Sequence, residues 1–492
     1  MNIRKTKIIC TLGPASESVD MIKKLAKAGM NVARLNFSHG DYEEQGKRIK
    51  NVRKVNQSNE FPVAILLDTK GPEIRTHLFS KEYTEIKKDS TVKIHMKEIT
   101  GNENEFSITY PELINDVEVG KKILVDDGYL ILEITEIDKD NGVIVTKALN
   151  THDVKDRRGI NVPNVKLRLP FISKKDKNDI EFGCDQNLDF IAASFVRDAD
   201  DILAIRQILK DKNNDHIQII AKIENQQGYD NLDAILKEAD GVMVARGDLG
   251  VEVNVECVPL IQRKMIEKAH ISGKVVITAT QMLESMIENV TPTRAEVSDI
   301  ANAVLDGTDA IMLSGETAMG NHPVKVVEMM SKIALTIEDS INTKKMFSRL
   351  IKKQSDDRSA RSIAVSTAQC IQTLPVVSII CPSMSGYTAR LMSQFRPKCP
   401  IMAFVRSDAV AKSLALNWGV FPTVMTEEIN SFEEMIDFGV NHVMKYKEYL
   451  RHLGERAIVT AGLPLGRTTA QTNTMQIVKF KDKQEWLDEW NS

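Results

Sequence analysis

The chain has 492 residues, of which 42% are hydrophobic and 27% charged, with a formal net charge of -3. That composition is ordinary for a globular protein of roughly three domains at about 150 residues each. It gives no global attraction for nucleic acid, so any anion site must come from locally clustered Arg and Lys.

The N-terminal stretch MNIRKTKIICTLGP has an apolar run too short for a signal peptide or a membrane span. It reads instead as a buried first strand. Cys10, Cys184, Cys257, Cys370, Cys381 and Cys399 are scattered without a CxxC pair. This argues against zinc and against a disulfide framework, and points to a reduced, cytoplasmic protein with no membrane partner.

Short apolar runs then recur, each followed by a stretch with helical spacing. They cover Lys7–Cys10, Val32–Leu35, Val63–Leu67, Phe190–Ala193, Ile217–Ala221, Gly241–Ala245, Val275–Ile277 and Ala310–Leu313. Runs of this length suit parallel strands buried on both faces. Ser18–Ala28 and Val258–Ser272 repeat apolar residues with the period of a helix between them. Eight such units predict an α/β fold, a (β/α)8 TIM barrel with its active site at the C-terminal strand ends. Two Rossmann-like halves share the alternation, but no GxGxxG follows the first strand.

Residues 72–170 break the pattern. Tyr129–Ile134 and Gly142–Lys147 alternate with period two, and Asp126-Asp127-Gly128 and Asp140-Asn141-Gly142 are turn sequences. The stretch reads as an all-β lid domain inserted into a barrel made of residues 1–71 and 171–345. Charge clusters over Lys344–Arg361 as a linker or solvated helix. Strand-like runs at Val376–Ile380, Ile401–Val405 and Ala457–Ala461 then predict a C-terminal α/β domain over 346–480, with a tail at 481–492.

Chemistry-bearing residues collect at the predicted strand ends. In AKIEN, Lys222 and Glu224 share a face, and ARGDLG brings Asp248 to the next strand end. Two carboxylates on neighbouring strands can hold Mg2+, or Mn2+ in its stead, with positions left for water and substrate. A lysine beside them suits a phosphoryl group in transit. A buried Lys–Glu pair filling a barrel layer is the alternative that spacing leaves open.

VARLNFSHG brings Arg34, Asn36 and Ser38 to one face, the arginine suited to phosphate and the other two to a cation. LLDTKGPEIR adds Asp68, Glu73 and Arg75; ITATQML adds Thr278 and Thr280; SGETA adds Ser314 and Glu316. Any one of these could be a cap or a surface loop, but their concentration at one end of the strands argues for a site. His39 is either a contributor to nucleotide binding or an ordinary loop histidine. Walker A, HRD and DFG signatures are absent, which removes P-loop and protein-kinase chemistry.

Taken together, TKIICTLGPAS, ARLNFSHG, LLDTKGPEIRT, VDDG, AKIEN, VMVARGDLG, ATQMLESM, PTRAEVSDIANAVLDGTDAIMLSGETA and SGYTAR resemble the pyruvate kinase family in family order. The resemblance runs from about Lys5 to Val478. It implies phosphoryl transfer from phosphoenolpyruvate to ADP in glycolysis, with Mg2+ and K+ as cofactors and a homotetramer as the assembly.

Residue by residue, the resemblance implies that Glu224 and Asp248 bind the divalent metal. Lys222 neutralises the migrating phosphoryl group and Arg34 steadies it. The amides of Gly247 and Asp248 hold the substrate carboxylate. Thr280 lines that pocket near the path of the proton, and Ser314 orders a proton relay through water. Asn36, Ser38, Asp68 and Thr69 match a monovalent-cation site. Arg75 and Lys175 match nucleotide-phosphate contacts, with Asn36 and His39 nearby. Glu73 stands where K+-independent members carry lysine, which implies K+ dependence.

In the C-terminal domain, Ser383, Ser385, Gly386 and Thr388 fall where members bind sugar-phosphate effectors, and they would form an anion nest for a sugar-phosphate or nucleotide effector. A plain strand-to-helix turn is the alternative there. Ala470-Gln471 departs from the Gly-Thr that members often carry, and the tail resembles no appended phosphotransfer domain. Two other classes stay open on sequence. One is a carbon–carbon lyase on the same barrel, which the insertion disfavours; the other is a non-catalytic sensor, which the full set of metal and lysine positions disfavours.

Overall fold

The computed structural model describes residues 3–58, 62–353, 359–427, 429, 431–446, 454–463 and 472–479. Ala470-Gln471 and the tail lie outside them.

Eight parallel strands close into a barrel: Lys7–Thr11, Val32–Asn36, Ala64–Asp68, Phe190–Ala193, Gln218–Ile223, Gly241–Ala245, Val275–Ala279 and Ala310–Leu313.

 

Each strand is hydrogen-bonded in parallel to its neighbours, and the last pairs with the first. Alternate side chains point to opposite faces. One set, including Ile9, Leu66, Phe190, Ile220, Met243 and Met312, fills the barrel interior. The other, including Ile8, Leu35, Ile191, Val242 and Ile311, packs beneath the outer helices. Burial on both faces is the reason the strands read as unbroken apolar runs.

Several strands run beyond the predicted runs, to Thr11, Asn36, Asp68, Ile223 and Ala279. The ladder continues into polar residues that serve the site, and an apolar-run criterion stops before them. The helix after the first strand, Val19–Ala28, starts at Ser18, whose side chain accepts a hydrogen bond from the Met21 amide. Val258–Ser272 forms the predicted helix and ends at Gly273, which has φ 70°.

Between the third and fourth barrel strands the chain builds a seven-stranded sheet and a two-stranded one. They enclose a separate apolar cluster that includes Phe79, Ile94, Phe106, Ile123, Leu132 and Ile144. A single helical turn, Leu113–Asp116, interrupts the otherwise β composition. The turn Asp126-Asp127-Gly128 has φ of 54°, 53° and 87°.

The C-terminal sheet has five strands, in spatial order Val420–Val424, Ile401–Val405, Ser378–Pro382, Arg456–Ala461 and Thr474–Lys479. The first and last of these went unpredicted, because both are partly exposed and carry polar residues. The charged stretch after residue 343 includes a helix, Thr343–Lys353, that buries Phe347 and Leu350.

This sheet docks against the N-terminal end of the barrel, away from the polar strand ends. Leu416 joins the barrel's interior cluster. Arg396, 1% exposed, pairs with Asp309 at 2.9 Å. Lys7 on the first strand donates to the Val420 carbonyl at 2.6 Å. Among the described residues, no helix is long and apolar enough to cross a membrane.

Candidate active site

The polar strand ends converge on Asp68, which is 1% exposed. Asp68 and Asn36 are paired in register at the ends of adjacent strands. Arg34 Nε lies 2.6 Å from Asp68 Oδ2, and Lys222 Nζ lies 3.1 Å from Asp68 Oδ1. Burial alone would raise the Asp68 pKa, but the two cations outweigh it and hold the group below the ordinary aspartate range.

Arg34 Nη1 also donates to Thr11 Oγ1 at 2.9 Å. With Nε and Nη1 committed, the guanidinium is fixed in orientation, and its remaining edge is the part that can reach a bound anion.

Lys222 is surrounded by oxygen. Its Nζ donates to Ser194 Oγ at 2.7 Å and lies 3.0 Å from Glu224 Oε1. Burial opposes its charge, but Asp68 and then Glu224 overcome this and raise its pKa above the ordinary lysine value.

The Glu224 carboxylate is fully buried. Its Oε2 accepts from the Phe195 amide at 2.6 Å, whereas Oε1 has no hydrogen-bond partner. Lys222 is near enough to attract Oε1 but lies off the hydrogen-bonding direction. Oε1 is thus ion-paired without a hydrogen bond, and its lone pairs remain available to a metal ion. Burial pushes the Glu224 pKa up; Lys222 opposes this, and the neighbouring Asp248 charge adds to it.

Asp248 stands in the first turn of the helix Arg246–Glu252, which follows the strand Gly241–Ala245. Its charge also reaches Asp127 and Glu252, whose pKa values are raised first by burial and then by their acidic neighbours. Among the described residues, no three His, Cys, Asp or Glu side chains form a ready-made metal cage. Two carboxylates with one open oxygen instead fit a hard divalent ion that takes its other ligands from water and substrate.

A cavity of about 780 Å³ opens between the inserted sheet and the barrel. Asp248 and Glu252 line it from the barrel, and Arg75, Asp127, Arg158 and Lys166 from the insertion. Asn161 Nδ2 donates to Glu252 Oε1 at 2.8 Å across the gap. Lys222 and Glu224 do not line it; both are buried.

Arg75 is held in the cavity by Glu73 at 2.7 Å and by the Arg157 carbonyl at 2.8 Å. The other nucleotide candidates stand apart from it. Lys175 folds onto the Phe37 carbonyl at 2.7 Å and Asp179 at 2.6 Å, while His39 is exposed. Asn36 Oδ1 accepts from the Ser38 amide at 3.0 Å. Thr69 Oγ1 accepts from the Ser194 amide at 3.1 Å.

Thr280 adopts φ 67°, a conformation that a β-branched residue avoids. Its Oγ1 accepts from the Gly247 amide at 2.8 Å and donates to the Ala279 carbonyl at 2.6 Å. The Gly247 amide thus already has an internal acceptor. Arg246 holds the turn in place: it donates to the Thr280 carbonyl at 2.6 Å and pairs with Asp299 at 2.6 Å.

Ser314 follows the last strand, and its amide donates to Glu316 Oε2 at 2.6 Å. Glu316 Oε1 accepts from the Leu283 amide at 3.2 Å, so one buried carboxylate ties the Ser314 loop to the segment after Thr280.

Sequence reasoning missed Ser194, Arg246, Asp299, Asp127 and Glu252. Asp127 and Glu252 carry a readable signal, since one sits in VDDG and the other in the helix that opens with ARGDLG. The Arg246–Asp299 pair joins residues far apart in the chain and leaves no local signature.

In the C-terminal sheet, Gly386 has φ 76° and caps the helix Tyr387–Gln394. Arg390 donates to the Ser385 carbonyl at 2.6 Å, and the Ser383 amide donates to the Phe404 carbonyl at 2.9 Å. Thr388 is buried, and its hydroxyl is bonded to that of Thr472. The Ser383 amide and the Thr388 hydroxyl are thus already engaged within the fold.

Residues 3–327 match the family model for the barrel domain of pyruvate kinase, and residues 361–478 match that for its alpha/beta domain. The chain is 50% identical over 479 residues to the pyruvate kinase of Geobacillus stearothermophilus, covering 97% of this chain and 81% of the relative. It is 51% identical over 480 residues to that of Bacillus licheniformis, covering 98% and 81%. For the pyruvate kinase of Clostridium acetobutylicum, the identity is 45% over 478 residues, covering 96% and 99%. With both domain models matched in order, and with relatives this similar along nearly its whole length, the chain belongs to the pyruvate kinase family.

Proposed function

We propose that the cluster around Asp68, Lys222, Glu224 and Asp248 is where this phosphotransferase moves the phosphoryl group of phosphoenolpyruvate to ADP, giving pyruvate and ATP. The observation that carries this reading is Lys222 held at full charge beside a buried carboxylate oxygen that has no hydrogen bond.

Glu224 and Asp248 would hold a divalent ion, Mg2+ or Mn2+. When bound, such an ion supplies positive charge against the phosphoryl group in transfer. Asn36, Ser38, Asp68 and Thr69 offer neutral oxygens and one carboxylate, a donor set suited to K+.

Lys222 turns an N–H toward the phosphoryl oxygens, and the uncommitted edge of Arg34 steadies them. The amides of Gly247 and Asp248 receive the substrate carboxylate, with the Gly247 amide exchanging its internal acceptor for the substrate. Thr280 and Ser314 order the water that delivers a proton to carbon. Arg75 meets the nucleotide phosphates, with Asn36, His39 and Lys175 on the other flank. The inserted domain, residues 72–170, acts as a lid that keeps water from intercepting the phosphoryl group.

Ser383, Ser385, Gly386 and Thr388 would form an effector site for a sugar phosphate within the C-terminal domain, residues 346–480, and the enzyme would assemble as a homotetramer. A cytoplasmic setting agrees with the free state of all six cysteines.

The test is pyruvate formation from phosphoenolpyruvate and ADP with Mg2+, with and without K+. Turnover that requires both cations is the expected result. Turnover indifferent to K+ would contradict the reading of Glu73 and the monovalent site, and absence of turnover would contradict the assignment of the cluster.

A further inference from the structure

We infer that Ser194 is a positioning residue for phosphoryl transfer, holding the Lys222 ammonium with a neutral oxygen so that its charge faces the phosphoryl group. The inference rests on the role proposed above for Lys222.

Ser194 directly follows the strand Phe190–Ala193 and is 2% exposed. Its Oγ lies 2.7 Å from Lys222 Nζ, 2.7 Å from the Thr69 carbonyl and 3.2 Å from Asp68 Oδ1. A hydroxyl has one hydrogen and two lone pairs. The ammonium has no lone pair, so the serine hydrogen must go to an oxygen, and the Thr69 carbonyl is the nearer of the two. A serine lone pair is then directed at Lys222.

The serine is itself fixed from two sides. Its amide donates to Thr69 Oγ1 at 3.1 Å, which completes a reciprocal clasp between neighbouring strand ends. Gly71, at φ 75°, passes so close that a Cβ there would lie 2.8 Å from Ser194 Cβ.

An ammonium has three N–H groups. Ser194 Oγ and Asp68 Oδ1 accept two of them, and Glu224 Oε1 is near the third but out of line. That third hydrogen is free to turn to an incoming phosphoryl oxygen. Without Ser194 the ammonium is held by its two carboxylate neighbours alone, Asp68 at 3.1 Å and Glu224 at 3.0 Å. It would then settle onto those carboxylates and withdraw from the phosphoryl group.

The experiment compares Ser194→Ala, Ser194→Cys and Ser194→Thr by steady-state kinetics, with Lys222→Met as the reference for loss of the lysine. Loss of a hydrogen bond to a charged group predicts that Ser194→Ala lowers kcat on the order of 30-fold while KM for phosphoenolpyruvate moves less than about threefold. Cysteine fills the space but accepts poorly, so Ser194→Cys should resemble alanine, whereas Ser194→Thr keeps the hydroxyl and should recover most of kcat. In a Lys222→Arg background the alanine change should cost less than about threefold further, because its effect passes through the lysine.

Wild-type kcat in Ser194→Ala, or recovery in Ser194→Cys, would overturn the inference while leaving Lys222 in its role. Near-normal turnover by Lys222→Met would instead overturn the reading beneath it. If the alanine protein fails to fold, the contrast between cysteine and threonine decides the question.

Discussion

Glu224 divides its two carboxylate oxygens between a backbone amide and an open position. Glu224→Gln replaces that charge with an amide of the same shape. The Mg2+ concentration for half-maximal rate is expected to rise about 10- to 100-fold, as measured by metal titration of turnover. An unchanged requirement would remove Glu224 from the metal site.

Lys222, Glu224, Arg34 and Asp68 stood out in the sequence as candidates because each lies in or just beyond a short apolar run, where alternate residues share a face. Ser194 did not, although it closes such a run: in AASF it reads as the start of the following turn. Its partners Thr69 and Lys222 are distant in sequence. Thr280 was named from sequence, but its left-handed backbone was not foreseeable, since a β-branched residue argues against that conformation.

At the scale of elements, the strand ends were located to within a few residues, and the polar extensions of the ladder were the part missed. The turn after Val275–Ala279 depends on the pairing of Arg246 with Asp299. Strain of about 1–3 kcal/mol is typical of such a backbone and needs an external restraint to persist. Asp299→Ala should free Arg246 and let Thr280 relax away from the Gly247 amide. The expected result is a fall in kcat/KM on the order of tenfold, with unchanged secondary structure by circular dichroism. Unaltered kcat/KM would mean that the turn holds without the pair. The outer strands of the C-terminal sheet were illegible for a different reason, since both are partly exposed and polar residues or proline interrupt their apolar runs.

At the scale of the whole molecule, barrel and C-terminal sheet share a buried polar seam. Lys7 is 3% exposed, donates to the Val420 carbonyl, and sits 4.4 Å from the centre of the Phe421 ring. Burial, reinforced by Arg4 and opposed by Glu338, lowers its pKa from 10.5 to about 7. Between those two values the unfolded chain binds the proton and the folded one does not, so stability rises with pH. Below about pH 7 both states are charged, and the full cost of burying the charge is felt.

Relative to Lys7→Met, the wild type should therefore gain stability from pH 7 to pH 9, by up to about 2–3 kcal/mol for one proton. Denaturant unfolding of both proteins at the two pH values checks this. A difference that stays constant with pH would show that Lys7 keeps its proton in the folded state.

If Lys222 carries the charge that stabilises phosphoryl transfer, its removal should show in the turnover of Lys222→Met with phosphoenolpyruvate, ADP, Mg2+ and K+. Methionine preserves the bulk of the side chain, and Asp68 keeps Arg34 as its partner. A loss of kcat on the order of 10³-fold or more in a folded protein is predicted; turnover within about tenfold of wild type would contradict the account.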